Sequence, residues 1–161
     1  MEKEKHTLIN SIHRYFGVEF NNTTFDYFNK QNKTPEDIDD MIGYAQSSLH
    51  HWKLYSGGTF VNVQRGEYMV AKAYALAGNK TESLSHAKRC LELTERYSGE
   101  MKDFDFAFAN EVMAMAQKLN GNNEEFLKHR AVAEIFGNEI KDEEDRIFYF
   151  EEFNKYIKNK C

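Results

Sequence analysis

The chain has 161 residues, 41% of them hydrophobic and 14% aromatic, which is enough for one domain with a substantial core. A mild formal charge of −5 argues against the basic face that a nucleic-acid or anionic-membrane binder needs, and two cysteines are too few for a disulfide framework. The start carries no apolar leader and no stretch approaches the ~20 residues of a spanning helix, so a cytoplasmic protein is expected, contacting neither nucleic acid nor membrane.

No segment alternates apolar and polar residues, and glycines fall mainly where helices should end. A first helix is predicted from Lys3 to Phe16, with Leu8, Ile9, Ile12 and Phe16 on one stripe and Gly17 as its stop. A short helix, Phe25 to Lys30, follows the Asn21-Asn22-Thr23-Thr24 stretch. The third runs from Pro35 to Tyr55: Thr34 caps it, the only proline takes its first position, and Glu36 and Asp37 meet the positive end of its dipole. The fourth spans Phe60 to Ala77 and stops at Gly78. Thr81 caps a fifth, Glu82 to Tyr97, and Asp103 caps a sixth, Phe104 to Leu119. Asn123 opens a seventh, Glu124 to Asn138, and Asp142 opens the last, which runs to Lys158. Connections this short make successive helices antiparallel neighbours.

The stretch LAGNKTESLSH, from Leu76 to His86, returns as LNGNNEEFLKH, from Leu119 to His129, 43 residues later. Each copy covers a helix end, a glycine turn and the first turn of the next helix, so a whole hairpin is repeated. Gly78 and Gly121 are expected in the left-handed conformation that closes a helix. Within the first copy, Ala71, Tyr74, Gly78, Ser83, Ala87 and Cys90 resemble the tetratricopeptide pattern of small side chains with a tyrosine between paired helices. The copy departs from that pattern in its longer period, which lies in the range of HEAT repeats, and in lacking the second-helix aromatic and the closing proline. From Asn22 onward, His51-Trp52, Arg65 to Glu67, His86 to Leu93 and Asp105 to Glu111 resemble an uncharacterised bacterial tetratricopeptide-like family. The resemblance implies a fold and no activity: an all-α, right-handed array of about seven helices in antiparallel hairpins. It forms one domain over 1–161, with clear repeats at 60–97 and 104–138 and a capping helix at 143–158.

Polar residues on otherwise apolar helical arcs are the candidates for chemistry. His51 shares an arc with Tyr44, Ser48 and Tyr55. Glu67 lies among Val63, Val70, Ala71 and Tyr74, His86 lies beside Leu93 and Tyr97, and Asp105 lies among Ala109, Val112 and Ala116. Paired across a groove, such groups could form an acid–base or small-molecule pocket. Local explanations compete: Glu82 and Glu125 each precede a histidine by four residues, and Asp105 sits in a first helical turn. Glu67 has no local partner, so a donor is expected from His86 or His51. Glu82, His86 and Cys90 have the spacing of ligands on one helix, but Cys90 holds a packing position, and neither metal nor cofactor is expected. No nucleophile elbow, phosphate loop or HExxH motif is present.

These observations favour a non-enzymatic module that binds a protein or peptide. Its groove is expected along the first helices of the hairpins, with Arg65, Tyr68, Lys72 and Asn110 exposed. The candidate binding residues are His51, Trp52, Arg65, Glu67, Tyr74, His86, Asp105 and Glu111. Phe148 points away from the stripe of Ile147, Phe150, Phe153 and Ile157, which suggests a homo-oligomer contact through the last helix.

Overall fold

The structure is a computed structural model, and it describes residues 1–158. All regular structure among them is helical: α1 (Glu2–Asn29), α2 (Pro35–Leu54), α3 (Phe60–Leu76), α4 (Lys80–Arg96), α5 (Asp103–Leu119), α6 (Asn123–Glu139) and α7 (Glu143–Phe153). A π-helical turn, Asn154–Lys158, follows α7.

The ends follow local chemistry. Asp37 N donates to Thr34 Oγ1 at 3.2 Å while Thr34 N donates back to Asp37 Oδ2 at 2.9 Å, a closed capping box on α2. The third residues of α3 and α5 do the equivalent job: Asn62 accepts from Thr59 N, and Asp105 accepts from Lys102 N, both at 3.0 Å. Some caps fall one or two residues earlier than expected. Asn79, not Thr81, caps α4 through a bond from Glu82 N, Lys102 precedes α5 in place of Asp103, and Asn122 precedes α6 in place of Asn123. Gly78 and Gly121 have φ of +76° and +80°. Around each, the same pair of bonds closes the helix: Asn79 N to Tyr74 O and Gly78 N to Ala75 O, then Asn122 N to Gln117 O and Gly121 N to Lys118 O.

The main departure from expectation is α1. It is one helix of 28 residues, with Gly17 and the Asn-Asn-Thr-Thr stretch inside it. Gly17 serves helix packing. A Cβ there would lie 2.9 Å from the Trp52 ring, and Ser48 Oγ donates to Gly17 O at 2.7 Å across the α1–α2 contact. Thr23 and Thr24 bond back to Glu19 O and Phe20 O, so their hydroxyls are satisfied within the helix. Of the stripe Leu8, Ile9, Ile12 and Phe16, only Phe16 is half-buried, against Phe20 and His51; the other three are exposed.

The helices pair as hairpins α1–α2, α3–α4 and α5–α6, and each hairpin packs on the next. The first helices also pack on one another, α1 on α3 and α3 on α5. That makes them the closely spaced inner layer, with α2, α4 and α6 outside. Small residues allow the close approach: Ala71, Ala87, Cys90, Ala109 and Ala116 form the middle of the core. Larger groups fill the ends, with Phe28, Met41, Leu49 and Met69 on one side and Phe126, Tyr149, Phe153 and Ile157 on the other.

The C-terminal segment folds back over the inner layer. Helix α7 packs on α5, and beyond it Tyr156 OH donates to Phe28 O at 3.2 Å while Lys155 Nζ reaches Asn29 Oδ1 at 3.0 Å. The segment therefore bridges α5 to the end of α1. Between them, over α3, a cavity remains.

Candidate functional site

Helix α3 forms the floor of this cavity, because Gln64, Arg65, Tyr68 and Met69 recur at one-turn spacing on its inner face. Helix α1 supplies Asn21, Asn22, Phe25 and Asp26, α5 supplies Phe104, Asp105 and Phe108, and α7 supplies Phe148. The volume is about 460 Å³, and five aromatic rings, Phe25, Tyr68, Phe104, Phe108 and Phe148, stand among the lining residues. Phe148 meets Phe25 at 5.7 Å and Phe108 at 6.1 Å between ring centroids, so its ring is turned into the cavity. The ring is thus part of the cavity wall while remaining 41% exposed.

Arg65 is held from two sides. Its Nε and Nη2 donate to Asp105 at 2.8 and 3.0 Å, and its guanidinium lies 4.9 Å from the Phe104 ring centre. Because Asp105 also accepts from Lys102 N, the cap of α5 fixes the carboxylate that fixes the arginine. Gln64 gives its amide N–H to Thr94 at 2.8 Å, while its Oε1 has no hydrogen-bond partner.

Beneath Tyr68 lies a charge cluster that was not expected. Lys72 is fully buried, and its Nζ donates to Tyr68 OH and Glu152 Oε2 at 2.8 Å each and to Glu111 Oε1 at 3.4 Å. Tyr68 OH donates in turn to Glu111 Oε2 at 2.9 Å, and the Tyr156 ring centre lies 4.3 Å from Nζ. Burial pushes the Glu111 carboxyl above its ordinary range against the pull of Lys72 and Tyr68. Burial, then the charges of Glu111 and Glu152, pushes the Tyr68 phenol well up, so Tyr68 is no base at neutral pH. Lys72 and Asn110, expected to be exposed in the groove, are both buried, and Glu111 is internal as well. The sequence carried one signal of this, since Lys72 interrupts the apolar run Met69-Val70-Ala71-Lys72-Ala73-Tyr74-Ala75-Leu76.

The residues proposed as one polar pocket separate. Glu67 is joined to His86 at 2.6 Å through Nδ1 and to Lys53 at 3.2 Å, between α2, α3 and α4. Burial raises the Glu67 carboxyl, but the hydrogen bond from His86 and the Lys53 charge outweigh it and hold the group below its ordinary range. Tyr74 stacks on His86 and accepts from Gln46 at 2.7 Å. His51 faces His13 instead, with Nδ1 to Nδ1 at 2.9 Å, inside a ring of Phe16 and Phe20. Burial, then His13 and His50, lowers its pKa. Trp52 packs on Gly17 and Tyr55. Of the eight candidate residues, Arg65 and Asp105 alone line this cavity. Cys90 receives the Gln64 amide and faces Thr94, and among the described residues no three His, Cys, Asp or Glu side chains converge as a metal-ligand set.

The recurring histidine now has a place. His86 Nδ1 meets Glu67, and His129 Nδ1 meets Asn110 at 3.0 Å, each partner lying 19 residues earlier on the preceding helix. The repeat carries a buried acceptor for its histidine, acid in one copy and amide in the other. No protein-family model matches the chain, and no curated protein or solved structure does either.

Proposed function

We propose that the chain is a tetratricopeptide-like hairpin array that binds a peptide or an extended segment of a protein partner in its inner groove, without catalysing a reaction. The observation that supports this reading is the open-sided aromatic cavity over α3, where repeat arrays present their inner helices to ligands. Phe25, Phe104, Phe108 and Phe148 offer an apolar partner side chain a site of the size small ligands and anchor residues occupy. The guanidinium of Arg65 retains donors not used by Asp105, and Asn21, Asn22 and Asp26 stand on the opposite wall to take main-chain groups. A cytoplasmic setting goes with this reading, since Cys90 is a free buried thiol of the kind a reducing compartment keeps.

Selection from a displayed random-peptide library against the purified chain tests the proposal. Enriched sequences should share an apolar anchor, and they should bind Phe148→Asp at least about tenfold more weakly than wild type, the loss of one anchor contact. Phe60→Asp, which lies outside the cavity against Tyr97, should bind normally. No enrichment, or equal binding to Phe148→Asp, would overturn it.

A further inference from the structure

Half of the large apolar side chains left exposed among the described residues fall within the first 18 positions: Met1, Leu8, Ile9, Ile12, Tyr15 and Val18. Their arrangement is regular. Lys5, Leu8, Ile12, Tyr15 and Glu19 are spaced by three and four residues in turn, which aligns them as one seam along α1. All five are exposed. The opposite face of the same helix, with Gly17, Phe20, Thr24 and Phe28, packs against the hairpin array. The seam is thus an outer face that no other helix of the described chain covers. An isolated exposed leucine needs no explanation, but an apolar seam with the coiled-coil spacing does.

We propose that this face binds the same face of a second copy, with the two α1 helices antiparallel across a two-fold axis near Ile12. Charge selects the occupant and the orientation. The apolar centre has a lysine at one end and a glutamate at the other, and neither side chain has an ion-pair partner within the described chain. A parallel pair sets Lys5 near Lys5 and Glu19 near Glu19. An antiparallel pair brings the lysine end of each copy to the glutamate end of the other, so the face is complementary to itself only in that direction. From Met1 to Val18 the face is about 26 Å long and one helix wide, at the lower end of specific interfaces. The dimer is therefore weak and concentration-dependent.

Sedimentation of the whole chain from about 1 to about 100 μM, the range in which a small interface saturates, tests the proposal. Wild type should pass from monomer to dimer. Ile12→Glu should stay monomeric while keeping its helical signal and melting temperature. Lys5→Glu should weaken association about tenfold, and Lys5→Glu combined with Glu19→Lys should restore it, because the swap rebuilds the attraction in the antiparallel pair alone. Three results would overturn the proposal: a wild-type monomer throughout, an Ile12→Glu protein that dimerises like wild type, or a double variant no better than Lys5→Glu.

Discussion

Replacing Lys72 by methionine probes the buried charge cluster most directly. Lys72 and Glu111 are fully buried and Glu152 is 5% exposed, so solvent screens their interaction little. Methionine keeps much of the apolar stem and removes Nζ, which ends the 2.8 Å bonds to Tyr68 and Glu152 and the 3.4 Å contact to Glu111. Two carboxylates are then left in the core without a cation. Removing one partner of a buried ion pair costs about 3–5 kcal/mol. For a chain of this length each kcal/mol is worth about 2–4 °C, so the melting temperature should fall by about 6–20 °C. Glu152 is also the tie between α7 and α3, so amides of α7 should lose hydrogen-exchange protection before those of α3.

The triple variant Lys72→Met, Glu111→Gln, Glu152→Leu separates charge from packing. It has no buried charge left to strand, and it should recover most of the loss. Melts followed by circular dichroism, with hydrogen exchange on α7, give both readings. A single variant melting within about 2 °C of wild type, or a triple variant no more stable than the single one, refutes the reasoning.

Two further predictions concern the smaller clusters. Glu67→Gln should keep the fold with a modest loss, since an amide oxygen still accepts from His86 or Lys53, whereas Glu67→Leu should cost about 1–3 kcal/mol by stranding the His86 donor. A Leu variant that melts above wild type would instead mark Glu67 as a strained functional group. His51 has a folded pKa below its ordinary ~6.5, so the unfolded chain binds that proton first: its contribution to stability is complete above about pH 6.5 and is lost as pH falls from there toward the folded value. Glu111, with a raised pKa, works in the opposite direction, so the comparison must be with a variant. Relative to His51→Phe, wild type should lose melting temperature between about pH 7.5 and 5.5, and parallel curves would count against the His13–His51 contact.

The hairpins were legible because glycine turns, cap residues and small packing residues act over a few positions. The pairing of Glu67 with His86 was legible as well, since a carboxylate on an apolar arc must find a donor and adjacent helices limit the choices. The continuity of α1 was not. Gly17 looks the same in sequence whether it ends a helix or admits a neighbouring ring, and only the position of Trp52, 35 residues later, decides between them. Lys72 was misjudged for a similar reason. Its exposure depends on Glu152, 80 positions away, which folds back over α3 with the C-terminal segment.

The 43-residue period separates scaffold from specific features. Shifted by one period, Gly78 falls on Gly121, His86 on His129, Glu82 on Glu125, and Asn62, an α3 cap, on Asp105, an α5 cap. Such positions answer needs that every hairpin has: a helix stop, a cap, a donor–acceptor pair between its two helices. The charge on them is free to vary, as the change from Glu67 to Asn110 shows, because the hairpin needs only an acceptor. Lys72 falls on Met115, Tyr68 on Glu111, and Arg65 on Phe108. No hairpin requires these, yet they either line the aromatic cavity or sit directly beneath it. A lone arginine on a cavity wall and a lone buried lysine under its floor break the repeat at the same place on α3. Departures from a repeat cost stability unless something offsets them, and here they coincide with the face where α1, α3 and α5 enclose an aromatic-lined cavity.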